Sequence, residues 1–333
     1  MTNLRRVLTV AIVSAVSLGV LAATEQSNPA PAAGTAPPPW AYPVRPPDTV
    51  GPPRAPDDGV PRRVPGSTVA LTLSETRDLF NPPDWHPDGH PPMPEVVAHG
   101  RAPDVRACGY CHLTNGQGRP ENASLAGLPA AYIVQQMADY KNGLRNSAEP
   151  RMGPPRAMLA IGQNANDREV RAAAEYFSSF RFKPWIRVVE SQTVPKPYVS
   201  GAMFVASEDG SMESVGQRIV ELPEDLERTG LRDGASGFVA YVPPGSIERG
   251  EVLATTGGGK TVQCGICHGP GLKGLGPVPG LAGRSPSYSV RQLYDFQSGA
   301  RNGLWSDLMK EVVAELTLED LVAIGAYTAS LEP

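Results

Sequence analysis

The chain has little cysteine, little histidine and no strong charge of either sign. Its 333 residues hold four cysteines and five histidines. Lysine and arginine number 30 against 34 aspartates and glutamates, a formal net charge of −4. So mild a balance gives no nucleic-acid footprint and points to proteins as partners. Long apolar stretches are scarce as well. Residues 7–23 are uncharged, follow Arg5 and Arg6, and end in Ala22 and Ala23. At 17 residues (23 − 7 + 1) this run falls short of the roughly 20 that a membrane span needs. Residues 1–23 therefore read as an export signal peptide, with a retained N-terminal anchor as the alternative. No cysteine lies near their end, which excludes lipid attachment there.

What cysteine there is falls into one pattern. Cys108-Gly-Tyr-Cys111-His112 and Cys264-Gly-Ile-Cys267-His268 use all four. Cys-x-x-Cys-His is the attachment signature of c-type haem: two thiols add across two vinyl groups, and the histidine ligates the iron. A shared structural zinc gives no reason for a histidine after each second cysteine, and the pairs lie 156 positions apart (264 − 108). A thioredoxin-like pair wants a βαβ setting, whereas these flanks are rich in Gly and Pro. Structural disulfides also leave the histidines unexplained. The pattern assigns two covalent haems with their iron, held by Cys108, Cys111 and His112 and by Cys264, Cys267 and His268.

These motifs head an internal repeat. Leu125-Ala126-Gly127, Tyr132, Gln136, Tyr140, Gly143 and Arg145 follow His112. Leu281-Ala282-Gly283, Tyr288, Gln292, Phe296, Gly299 and Arg301 follow His268 at the same offsets, without a gap. Asn166 with Glu169, and Thr317 with Asp320, then have the capping-box spacing that starts a helix in each copy. Met158 and Met309 each stand eight residues before those N-caps (166 − 158, 317 − 309). A thioether opposite the histidine fills the iron's sixth position and favours the ferrous state, so Met158 and Met309 are the candidate metal ligands. Met152 is the rival in the first copy, and plain core filling is the alternative for any methionine.

On these residues the chain resembles the class I cytochromes c, most closely the tandem dihaem cytochromes c of bacteria. The resemblance covers 90–182 and 244–333 and leaves out the segment between them. It implies a mainly α fold: two cytochrome c-type helical haem domains, each with N- and C-terminal helices crossing over its haem, joined by a small β-rich insert. In that family a proline carbonyl near the Leu-Ala-Gly turn orients the proximal histidine. Pro279 stands there in the second copy and Ala123 in the first. Leu113 follows the first histidine where Gly269 follows the second, so the two haems are expected to differ in potential.

The expected organisation is a signal peptide or anchor over 1–23, a Pro-rich disordered linker over 24–66, cytochrome c domain 1 over 67–182, a β-rich connecting segment over 183–243 and cytochrome c domain 2 over 244–333. The Pro, Ala and Gly of the linker offer too little apolar surface to offset the entropy of ordering. Runs beginning at Trp185, Tyr198, Gly216 and Gly237, broken by Gly and Pro, read as strands. Ser246 is the expected N-cap of the helix that opens domain 2.

With both irons held by His and Met, no position stays open for substrate. The chain then carries single electrons between redox partner proteins in an extracytoplasmic compartment, the bacterial periplasm, and no catalytic residue is assigned. One alternative is a dihaem oxidoreductase, a peroxidase or small-sulfur-compound dehydrogenase, with one haem open or differently ligated. Another is the cytochrome subunit of a larger dehydrogenase or oxidase. His86, His90 and His99 are the residues that would displace Met158, though their turn-rich setting favours surface or loop packing. Arg145 and Arg301 either neutralise a haem propionate or sit as helix-end cations.

Overall fold

The computed structural model describes residues 36–47 and 55–333. The expected signal peptide or anchor, and the linker over 24–35 and 48–54, lie outside the described residues. In the first module α1 (Glu95–Ala98) and the attachment helix α2 (Cys108–His112) precede α3 (Ala130–Lys141), α4 (Gly153–Asn164) and α5 (Asp167–Ser178). The start of α5 is set locally. The Asn166 side chain accepts from the backbone N–H groups of Arg168 and Glu169, while Glu169 accepts from that of Asn166. Its buried face, including Ala174, Tyr176 and Phe177, then meets Val97, Val105 and Ile133 in one apolar core.

Seven short strands and one helix follow: β1 (Ile186–Glu190), β2 (Thr193–Pro195), β3 (Pro197–Ser200), β4 (Met203–Ala206), β5 (Met212–Ser214), β6 (Val220–Pro223), α6 (Leu226–Gly230) and β7 (Phe238–Val242). β7 is the middle strand of a three-stranded sheet. It is parallel to β1 (Ile186 opposite Phe238) and antiparallel to β6 (Val220 opposite Tyr241). β2 pairs with β5 and β3 with β4, both antiparallel. The run from Tyr198 is thus a hairpin and not one strand, because Gly201 at φ 66 reverses the chain inside it. The run from Gly216 contributes a strand only from Val220.

The second module repeats the first with α7 (Ser246–Thr256), α8 (Gly265–His268), α9 (Pro286–Gln297), α10 (Ser306–Val313) and α11 (Leu318–Ser330). Thr317 and Asp320 form the capping box of α11. Ser246 does not cap α7. Gly245, in the left-handed region at φ 79, is the N-cap, and Ser246 is the first helical residue. α7 crosses α11 at Gly250, where a Cβ would lie 2.0 Å from the Ala323 carbonyl oxygen. Only glycine allows that approach. The sheet lies on this module: Ile186, Val188, Ala240 and Val242 share its core with Leu253, Val290 and Leu321.

The linker expected to be disordered over 24–66 is ordered where it is described. Trp40, Ala41, Tyr42 and Val44 pack on the second module's core. The Tyr42 hydroxyl donates to Asp295 Oδ1 at 2.8 Å, and Arg291 Nη1 donates to the Ala41 carbonyl at 2.8 Å. Val64 is buried with Trp85 and Leu231. A few aromatic and branched side chains concentrate apolar area that the average composition hides.

Candidate functional site

His112 and His268 close the short helices α2 and α8. Each Nδ1 meets a carbonyl oxygen eleven residues on, Ala123 O at 2.8 Å and Pro279 O at 2.7 Å. A carbonyl only accepts, so Nδ1 carries the proton and Nε2 presents its lone pair. Neither Nε2 has a hydrogen-bond partner among the described residues. Burial pulls both imidazoles below their ordinary pKa and keeps them neutral, the form that ligates a metal. The carbonyl comes from alanine in one module and proline in the other, as a backbone acceptor permits.

No disulfide joins any of the four cysteines. Burial pushes Cys108 up to about 12 and raises Cys111 and Cys264 as well. Among the described residues no three His, Cys, Asp or Glu side chains converge on one point, so the two Cys-x-x-Cys pairs make no joint zinc site. Met158, on α4, packs on the first module's core with Cys108, and Met309, on α10, packs on the second module's core. Met152 is only 1% exposed and belongs to the second module's core, beside Tyr42 and Val290. Met152 and Met158 thus pack in different cores. In each module two thiols, a neutral imidazole with a free Nε2 and a core-facing thioether fit a covalently attached haem.

The modules are unequal at the residue after each histidine. Leu113 has φ 63 and ψ 158, and Gly269 has φ 75 and ψ 174. This corner of backbone space belongs almost wholly to glycine. The first module therefore holds a buried, strained leucine where the second holds a relaxed glycine. A Cβ at Gly269 would fall 2.5 Å from the Gly274 carbonyl oxygen, so the second module has no room for the same exchange.

Arg145 and Arg301 bond crosswise between the modules. Arg145 donates to Gln136 at 2.9 Å in its own module and to Tyr288 and Gln292, both at 3.0 Å, in the other. Arg301 donates to Gln292 at 3.1 Å in its own module and to Tyr132 at 3.0 Å and Gln136 at 2.6 Å across the interface. Both are buried, so neither is a solvated helix-end cation. The Tyr and Gln positions of the repeat thus build the contact between its copies, a role that no offset in the sequence reveals. His86 meets Asp233 at 3.2 Å, His90 meets Asp84 at 3.0 Å and His99 meets Asn81 at 2.9 Å.

Sequence reasoning also missed a cover on the first attachment helix. Arg232, after α6, lies 3.6 Å over the Tyr110 ring and donates to the Tyr110 carbonyl at 2.9 Å. Asn115 donates to Gly234 O and Trp85 to Leu231 O, each at 2.8 Å. Tyr110 is 6% exposed, while Ile266, at the same position of the repeat, is 65% exposed.

No family model matches the chain. It is 35% identical over 226 residues to cytochrome c-552 of Acidithiobacillus ferridurans, a match covering 67% of this chain and 73% of that protein. It is 28% identical over 230 residues to cytochrome c4 of Azotobacter vinelandii, covering 67% of this chain and 84% of the relative. It is 27% identical over 231 residues to the thiosulfate dehydrogenase electron acceptor of Thiomonas intermedia, covering 68% and 80%. Matches of this length reach beyond one module, and the two histidine sites repeat one geometry. The chain belongs to the tandem dihaem cytochromes c, which carry two c-type haems in one polypeptide.

Proposed function

We propose that the protein is an exported carrier that passes single electrons between redox partner proteins, with each haem ligated by histidine and methionine. Cys108 and Cys111, and Cys264 and Cys267, form the thioethers. His112 and His268 would ligate the irons through Nε2, and Met158 and Met309 would supply the second protein ligand of each. The bound haem iron supplies the reversible one-electron change. The observation that carries this reading is the same imidazole arrangement in both modules, pinned at Nδ1 and free at Nε2. The Ala123 and Pro279 carbonyls fix ring orientation and raise ligand basicity. The crosswise bonds of Arg145 and Arg301 hold the modules at one separation, so internal transfer needs no domain motion.

The partners are a donor and an acceptor protein. One relative is by name the electron acceptor of a thiosulfate dehydrogenase, which supports a dehydrogenase as donor. The export signal reading and the attachment of c-type haem after translocation support the periplasm. No helix among the described residues is long and apolar enough to cross a membrane.

The test is to replace Met158 and Met309 by alanine in turn in the haem-loaded protein. Each replacement should abolish the sulfur-to-iron charge-transfer band of one haem and lower that haem's potential. A band that survives in either variant refutes that ligand. Rapid peroxide turnover by the native protein would instead favour a dihaem oxidoreductase.

A further inference from the structure

Three carbonyl oxygens beside the two histidine sites converge on one guanidinium. Arg284 follows the Leu281-Ala282-Gly283 turn of the second module. Its Nε donates to the Gly280 carbonyl at 2.7 Å, its Nη1 to the Ser124 carbonyl at 2.7 Å and its Nη2 to the Ala126 carbonyl at 3.2 Å. Gly280 and Ser124 are equivalent in the repeat, each twelve residues after its histidine (280 − 268, 124 − 112). They directly follow Pro279 and Ala123, whose carbonyls accept from Nδ1 of His268 and His112. The guanidinium also stacks 4.4 Å over the Phe182 ring of the first module, which fixes its planar fork. Arg291 of α9, only 3% exposed, donates to the Pro120 carbonyl.

The two turns need this support unequally. In the second module the Pro279 ring locks its own φ. Ala123 has no ring, and among the described residues neither its N–H nor that of Ser124 donates a hydrogen bond. The buried Ser124 hydroxyl has no partner either. The first module's own bonds resume at Leu125, whose N–H donates to the Gly116 carbonyl at 2.8 Å. The carbonyls of Pro120, Ser124 and Ala126 are thus held by arginines of the second module. No such support runs the other way. The first-module counterparts of Arg284 and Arg291 are Leu128 and Gln135 (112 + 16, 112 + 23), and Gln135 donates to Asp139 of its own helix.

We propose that Arg284 is a positioning residue for the first haem. From across the interface it stiffens the turn whose Ala123 carbonyl orients His112, the role that the Pro279 ring has within the second module. The inference rests on the reading of His112 and His268 as haem ligands. A carbonyl held in line with Nδ1–H raises the basicity of Nε2, which stabilises ferric iron. A slack turn weakens that bond and favours the reduced form. Loss of a cation by itself disfavours the reduced, less positive iron, so a pure charge effect has the opposite sign.

The test is a redox titration of the full haem-loaded chain, followed site by site through the 15N signals of His112 and His268. Arg284→Gln should favour the reduced form of the first haem about tenfold, which is about 59 mV for one electron, and move the second less than about twofold. Arg284→Lys keeps the charge but not the three-way fork and should fall between. Adding Ala123→Pro to Arg284→Gln should restore most of the first haem's potential without restoring a bond between the modules. Adding Pro279→Ala instead should make the second haem respond as the first does, because its turn has then lost both supports. An unchanged or lowered first potential in Arg284→Gln overturns the proposal, and so does an equal shift of both haems. A shift that Ala123→Pro leaves in place overturns it too, since Arg284 then acts through the interface as a whole. Haem content and circular dichroism are measured on every variant. Iron that leaves the wild-type His112 signal unshifted refutes the ligand reading and the proposal with it. A shifted signal with a potential insensitive to Arg284 refutes the proposal alone.

Discussion

Asp320 links three parts of the second module, and its replacement by asparagine has a calculable cost. Its carboxylate accepts from Arg249 of α7 at 2.8 Å, from Lys260 of the following loop at 2.7 Å, and from the Thr317 backbone N–H and hydroxyl at 2.9 and 2.8 Å. Burial works against its charge. The bonds from Lys260, Arg249 and Thr317 outweigh it and bring the pKa from 3.8 down to about 2. At about 1.4 kcal/mol per pKa unit the ionised form gains about 2 kcal/mol from its native partners. Arg249 and Lys260 are each about a third exposed, so solvent screens them and the fuller penalty of breaking a buried pair does not apply. The folded pKa lies below the unfolded one. The contribution is therefore complete above about pH 4 and disappears as the pH falls toward 2. Thermal unfolding of wild type and Asp320→Asn, followed by circular dichroism, should differ by about 4–8 °C at pH 7. The gap should close on acidification through that window. Equal Tm values at pH 7, or a gap that persists at pH 2, would refute the reasoning.

Tyr42→Phe removes the donor to Asp295, a carboxylate whose pKa burial raises, and should cost about 1–3 kcal/mol in denaturant unfolding. The same variant should be cleaved faster by protease within 36–47, and unchanged cleavage would argue against a docked segment. Leu113→Gly relieves about 1–3 kcal/mol of backbone strain while giving up a similar gain from side-chain burial, so its stability should stay close to wild type. Gly269→Leu, with its Cβ forced against the Gly274 carbonyl, should lose several times more. Equal effects of the two exchanges on Tm would show that the modules are not strained unequally.

Much of the site was legible because its chemistry is local. Two thiols and a histidine must sit within one turn of chain to meet one haem, so the motif survives as a five-residue string. The capping boxes are equally local, since Asn166 and Thr317 satisfy N–H groups two or three residues away. Met158 was separable from Met152 only weakly, by an offset. Packing puts them in different places, Met152 in the second module's core and Met158 against the first module's. Ser246 was misplaced because an amino acid able to cap was taken as the cap, while the left-handed Gly245 sets the turn. Disorder was overstated for the linker because a composition average weighs Trp40 and Tyr42 no more than the prolines around them.

The sequence by itself determined that there are two modules and which cysteines, histidines and methionines are the candidates to hold their haems. Each of these depends on spacing along one short stretch of chain, and repetition doubles the signal. Only the tertiary structure decided how the copies meet and how they differ. Arg145 reaches Tyr288, Arg301 reaches Tyr132, Tyr42 reaches Asp295 and Arg232 covers Tyr110 across more than a hundred residues each. Such contacts leave no periodicity, because the chain between their ends is free to vary. They arise only when separate cores bury their faces together and fixed backbones bring polar groups within bonding distance.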